Sequence, residues 1–302
     1  MPHPYTILDV FTDTPLGGNP LAVVLDADDI DGARMQAIAA EFNLSETVFV
    51  LRPTGPAHTA RVRIFTPKSE IPFAGHPTVG TAVLLARQRL GEGPDERDAV
   101  VVLEEGVGPV RCGVILREGV GYAAFDAPRL AHEPGPAPAS ADIAAALGLG
   151  KEEIGFEHHV PSVYDGGLGF LFVPVANLDA IGRARPTGAA FFAATAAAGV
   201  DAVYCYTRET VAVGRHFHAR MFSPEQGIAE DPATGSAAVS LASVIDRFEA
   251  LQAGAHRFVI EQGFEIGRPS LIGLEIDREP ERVAAVRVGG DAVVVAEGTL
   301  RV

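Results

Sequence analysis

Two stretches of the chain carry the same message, and nothing else in it limits the fold as much. RIFTPKSEIPFAGHPTVGTAVLL at Arg63–Leu85 is echoed by RMFSPEQGIAEDPATGSAAVSL at Arg220–Leu241. Phe65 pairs with Phe222, Pro67 with Pro224 and Ile71 with Ile228, an offset of 157 (222 − 65). After a two-residue slip, Pro77 pairs with Pro232, Gly80 with Gly235 and Thr81 with Ser236, an offset of 155 (232 − 77). Solenoid repeats recur every 20–50 residues or so, so one echo at this distance predicts two similar domains. The length of 302 residues suits the same number.

Each copy follows one physical script. Arg61–Phe65 and His216–Phe222 alternate polar and apolar residues, the period of a half-buried strand. A Pro/Gly-containing loop follows, then a proline suited to the first position of a helix, where its missing N–H costs nothing. This spacing predicts His76 and Asp231 at equivalent N-caps. Beyond them, Pro77–Ala86 and Pro232–Ile245 hold no charged residue. A helix apolar on every side must be covered on every side. Neither run reaches the roughly 18 apolar residues of a membrane span, so burial in protein is expected.

Around these helices the chain reads as short strands. Tyr5–Phe11 and Leu21–Leu25 flank a turn at Gly17–Pro20, and Asp28–Phe42 suits a helix with Met35, Ile38, Ala39 and Phe42 on one face. Thr47–Leu51, Val100–Glu104, Pro109–Leu116 and Gly121–Phe125 read as strands, the last three after a polar loop at Gly91–Asp98. Pro128–Pro138 is the best linker candidate. Ser140 is placed to cap a short helix to Leu147, and Gly199 to end an alanine-rich one from Thr187. The tail reads as separate strands, including Ala284–Val288, Ala292–Val295 and Thr299–Val302. Many short strands around one buried helix per half predict an α+β fold, each helix cupped by a curled, mostly antiparallel, barrel-like sheet. The expected division is 1–127 plus about 286–302 for the first domain and 128–285 for the second, with the active site in the cleft between them.

Charge narrows the partners. Lys and Arg number 24 against 39 acidic residues, a net charge of −15. Such a field repels phosphate backbones, so nucleic acid and anionic membranes are not expected partners. An acidic small molecule would need a local positive site. Two helix N-termini from equivalent places supply one, because free N–H groups and dipole ends suit a carboxylate. Gly75 and Gly235 would let backbone approach such a ligand closely. His76 is the only ionisable residue between Glu70 and Arg87. Alone it reads as a core histidine and Asp231 as an ordinary cap; together they make a proton-handling pair. The two cysteines, Cys112 and Cys205, are too few for a disulfide framework. The start, MPHPYTILDVF, shows neither basic leader nor apolar signal core, so a cytoplasmic location is expected.

NLSETVFV, EIPFAGHPTVGTA, RMFSP, EDPATGSAA and QGFEIGRPS together resemble the signature segments of the phenazine-biosynthesis PhzF-like family, of the diaminopimelate-epimerase fold. The likeness runs from LDVFTDTPLGGNPLAVV to the final strands. It implies two barrel-like domains, a homodimer, a small-molecule carboxylate substrate and no metal or organic cofactor. It also implies that Glu46, in the NLSET segment, is the acid/base. His76 and Asp231 fall on the family's other catalytic positions, and Gly75, Gly235 and Ser236 on residues that hold the substrate. Without the resemblance Glu46 is one polar residue among many.

Other chemistries read less well. The fold that the resemblance implies also houses racemases, which carry a cysteine where Ala74 and Ala233 stand here. A thiolate pair is therefore not expected. His216-Phe217-His218 would share one strand face without a third ligand, and His158-His159 would point apart, so no metal site is expected. Gly17–Pro20 lacks the Lys-Ser/Thr ending of a phosphate loop. The expected reaction is a cofactor-independent proton shift between carbons of a small cyclic or unsaturated carboxylic acid. Desolvation disfavours a charged carboxylate, so Glu46 could both take and return a proton. An amino- or hydroxy-acid racemase or epimerase, and a non-catalytic binder of small acids, are the alternatives.

Overall fold

Two buried helices set the architecture, each within a unit of its own. The computed structural model describes residues 2–91 and 93–302. The chain divides into one unit of residues 2–128 with Val288–Val302 and a second of Arg129–Arg287.

In the first unit eight strands close on themselves. Their order is His3–Val10, Asn19–Val24, Glu46–Leu51, Ala60–Phe65, Arg97–Glu105, Gly108–Leu116, Gly121–Asp126 and the last strand, which returns to pair with His3–Val10. Closure leaves that barrel without a free edge. Helix Gly75–Leu90 packs against six of these strands, and every residue from Gly75 to Leu84 is buried. Its arginines, Arg87 and Arg89, wait for the last turn, where cations suit the helix dipole. Two strand pairs are parallel, Asn19–Val24 with Glu46–Leu51 and Ala60–Phe65 with Arg97–Glu105. Parallel neighbours need a crossover. The first is made by helix Gly32–Phe42, the second by the buried helix itself. Helix Gly32–Phe42 starts where Asp31 accepts the Arg34 N–H and stops where Asn43 turns left-handed at φ 51°.

The second unit repeats this plan. Its strands run Ser162–Asp165, Gly169–Pro174, Ala202–Thr207, Phe217–Ser223, Gly254–Gln262 and Ser270–Glu279, again with the second and third, and the fourth and fifth, parallel. Helix Gly235–Glu249 makes the matching crossover and is buried along most of its length. The echo in the sequence is therefore a repeat of topology. Each unit is α+β and mostly antiparallel, but the parallel pairs were not legible in the strand pattern.

Several expectations need correction. The helices begin at Gly75 and Gly235, with Ala74 and Thr234 as N-caps, so neither His76 nor Asp231 is a cap. His76 is the second helical residue and Asp231 ends the strand Ile228–Asp231. Pro77 stands within the first helical turn, where N–H groups have no intrahelical partner, whereas Pro232 lies in the loop before the Thr234 cap. Aligned on their helix starts, the copies differ by 160 (235 − 75), which matches Pro72 with Pro232 and His76 with Ser236. Likewise Ala139, not Ser140, caps helix Ser140–Leu147. The Pro128–Pro138 stretch does begin where the two units divide, and within the second unit its His132 bridges to Asp165. The three tail strands are one, Arg282–Leu300, which runs through Gly289 and Gly290 without a break. A Cβ on Gly289 would stand 2.6 Å from that of Ala124 and 2.7 Å from the Ala123 carbonyl. Glycine there permits close strand pairing instead of ending it. No helix among the described residues is long and apolar enough to cross a membrane.

Candidate active site

The proposed residues gather in two groups, one in each unit. In the first, Glu46 opens strand Glu46–Leu51, in parallel register with Leu21, directly after the Asn43 break. It is 9% exposed, and its Oε2 lies 3.3 Å from Nε2 of His76, itself 3% exposed. The pair sits at ion-pair distance, yet burial pushes the His76 imidazole down to about 3. Nε2 also has no aligned hydrogen-bond partner among the described residues. His76 is therefore a neutral ring beside the Glu46 carboxyl group. Gly75, buried next to it, is the first residue of the helix, where backbone N–H groups lack intrahelical acceptors.

In the second unit a loop of four residues is locked by hydrogen bonds. Asp231 Oδ2 accepts from Thr234 Oγ1 at 2.6 Å. Gln262 donates to the Asp231 carbonyl at 2.8 Å and to Thr234 Oγ1 at 2.9 Å, and accepts the Thr234 N–H at 3.2 Å. Gly263 follows at φ 80°, where a Cβ would stand 2.6 Å from the Pro232 carbonyl. Gly235 is buried and Ser236 half-buried at the helix start just beyond. Asp231 is thus a held carboxylate 5% exposed, with Gly235 and Ser236 four and five residues on. Thr234 and Gln262 are participants that the sequence reading did not single out, although both lie inside the segments that carry the family resemblance.

The competing chemistries find little support. Ala74 and Ala233 are buried alanines. Cys205 is pushed up to about 12 and Cys112 higher still, in both cases first by burial, so neither is a ready thiolate. His218 is wedged between Glu261 at 3.2 Å and Glu265 at 2.9 Å, while His216 Nδ1 accepts the Val259 N–H. His159 bonds to Tyr206 through Nδ1. Among the described residues no three His, Cys, Asp or Glu side chains are disposed to hold a metal.

The chain matches known proteins along nearly its whole length. The model of the phenazine biosynthesis-like proteins, PhzC-PhzF, matches residues 8–298. An uncharacterized isomerase of Mesorhizobium japonicum is 48% identical over 98% of each chain. The trans-2,3-dihydro-3-hydroxyanthranilate isomerase of Pseudomonas aeruginosa is 39% identical, again over 98% of each. The crystal structure of a PhzF-family phenazine biosynthesis protein from Bacillus anthracis superposes with a TM-score of 0.88 at 26% identity, covering 100% of both chains. With this fold, these segments and these relatives, the chain belongs to the phenazine biosynthesis-like PhzC-PhzF family and is an isomerase of the diaminopimelate-epimerase-like fold.

Proposed function

We propose that the protein shifts a proton between two carbons of a small cyclic, unsaturated carboxylic acid, with Glu46 as the single acid/base. The observation that carries this is the Glu46 carboxyl group beside a buried, neutral His76. A ring that resists protonation is poorly suited to be a second base, and stereoinversion generally needs two. It is well suited to donate or accept one hydrogen bond and so orient a substrate. Glu46 takes a proton from a carbon next to a double bond; the electron pair of that C–H bond moves into the neighbouring π system. The double bond shifts, and Glu46 returns the proton at its far end. No atom is gained or lost. Gly75, Gly235 and Ser236 are the proposed substrate-binding residues, since helix-start donors suit a carboxylate, and Asp231 is proposed to balance charge. The substrate named for the P. aeruginosa relative belongs to this chemical class.

The test is Glu46→Gln, which keeps the shape and removes the base. Turnover should fall by about 10²–10⁴-fold, while ligand affinity and melting temperature hold. His76→Ala should weaken affinity as well as rate, and Asp231→Asn should lose rate and melting temperature. Run in deuterated water, the wild type should place deuterium at the new position. Exchange without a double-bond shift would point to an epimerase, and absence of exchange to a binder. Near-wild-type turnover by folded Glu46→Gln would end the single-base reading.

A further inference from the structure

We propose that Glu105 is a positioning residue of this site, a neutral carboxylic acid whose proton goes to Thr78 and fixes the helix start that presents Gly75 and His76. Its effect on turnover rests on the isomerase reading above; its protonation state does not. Glu105 ends strand Arg97–Glu105 and is 8% exposed. Its Oε1 lies 2.7 Å from Thr78 Oγ1, and the same hydroxyl lies 2.8 Å from the Ala74 carbonyl.

A hydroxyl has one proton, and a carbonyl can only accept. The carbonyl four residues back is the ordinary partner of a helical threonine, so the Thr78 proton belongs to Ala74. The 2.7 Å contact then lacks a proton unless Glu105 brings it. An ionised Glu105 would set lone pair against lone pair in a buried place, with Oε2 unpartnered among the described residues. Burial also pushes the Glu105 carboxyl up to about 8, against the smaller opposing effect of the Thr78 contact. A chain of two donated protons, Glu105 to Thr78 to Ala74, satisfies every short contact.

The turn that follows grips the same loop. Val107 N–H donates to the Pro72 carbonyl at 3.3 Å, and a Cβ on Gly106 would stand 2.8 Å from Pro72 Cα. Glu105 and its turn therefore hold the Pro72–Ala74 loop and the first helical turn together. Among the described residues, burial and the Thr78 contact are what act on the Glu105 carboxyl, with no counter-charge among them. The buried Cys112 thiol faces it, with Asp126 near that thiol. Glu105 also lines a cleft of about 670 Å³ with Asp28, His58, Arg61, Arg63, Glu70 and Glu104. There Arg63 forms a two-pronged bond to Glu70, and Glu104 is engaged by His58 and by the N–H groups of Thr54 and Gly55. Thr78 is the hydrogen-bond partner of Glu105 among the described residues.

The experiment compares kcat against pH for wild type, Glu105→Gln and Glu105→Ala, with melting curves alongside. A displaced helix start should cost Glu105→Ala about 10- to 100-fold in kcat. Glu105→Gln can still donate to Thr78 through its amide, so it should restore most of that loss. Wild-type kcat should fall as pH rises through about 8, and Glu105→Gln should lack that fall. A second measurement on the wild type follows the side-chain carboxyl carbon of Glu105 by NMR. A midpoint near 8 supports the proposal. A midpoint near the ordinary 4.5, or an alkaline limb unchanged in folded Glu105→Gln, overturns it. If the wild type shows no isomerase turnover, the functional reading fails while the NMR midpoint still decides the state of Glu105.

Discussion

His76 stays neutral because burial removes the water that would stabilise its charged form, and this outweighs the Glu46 carboxyl group beside it. That has a price in acid. The folded ring protonates only near 3, whereas the unfolded ring takes its proton near 6.5. A depressed folded value gives stability that is complete above 6.5 and lost as pH falls towards 3. The difference of 3.5 pH units corresponds to about 5 kcal/mol at most, at about 1.4 kcal/mol per unit. Unfolding free energy measured by denaturant at several pH values should therefore drop less steeply in His76→Gln than in wild type between these limits. Equal slopes would mean that His76 is not desolvated. Glu105 has the opposite sign: its raised value favours the fold below 4.5, and that advantage fades as pH rises through about 8. At this scale the legible residues were those inside long motifs. Glu46 was visible only through the NLSET resemblance, because nothing local marks a carboxylate that will meet a histidine 30 residues away. Gln262, although it begins one of those motifs, and Glu105 escaped for the same reason. Gln262 reaches back 31 residues to Asp231, and Glu105 reaches 27 to Thr78, separations that only strand pairing creates.

Among the elements, glycines decide where strands can lie together. Gly289 sits where any Cβ would strike the Ala123 carbonyl and the Ala124 side chain. Gly113, in strand Gly108–Leu116, is exposed with nothing within 4 Å of its missing Cβ. Gly289→Ala should therefore destabilise by about 1–3 kcal/mol through overpacking. Gly113→Ala should be neutral or gain up to about 1 kcal/mol by restricting the unfolded chain. Thermal melting of the two variants reads both outcomes, and similar shifts would contradict the close approach at Gly289. The same glycine explains why the tail was misread as several strands. A glycine pair is a turn signal in isolation, yet a neighbouring backbone can make it a pairing device. The two buried helices were legible because uncharged runs of ten residues (77–86) and fourteen residues (232–245) leave no other fate. Their first residues were not, because Gly, Pro, Thr and Ser are all acceptable in a first turn.

For the molecule as a whole, the repeat was legible in the residues themselves, whereas the return of the tail to the first unit was expected only from the family resemblance and the strand-like tail. The second half of Arg282–Leu300 belongs to the first unit, where Ala292–Leu300 pairs with His3–Val10. A chain stopped after Arg287 would leave both His3–Val10 and Gly121–Asp126 without their shared neighbour. Hydrogen exchange should then show those two strands and helix Gly75–Leu90 unprotected, while strands of Arg129–Arg287 keep more of their protection. Full protection in the first unit would show that the barrel does not depend on its last strand. The pairing of His3 with Leu300 also sets a clock on the ribosome. At about 5–20 residues per second, the first strand waits roughly 15–60 seconds for the partner that closes its barrel. Through that interval the nascent chain carries an open strand edge beside an unsheathed apolar helix, the kind of surface that other chains can pair with. Synthesis rate, and whatever binds nascent strands in the cell, should therefore govern the yield of active protein as much as its final stability does.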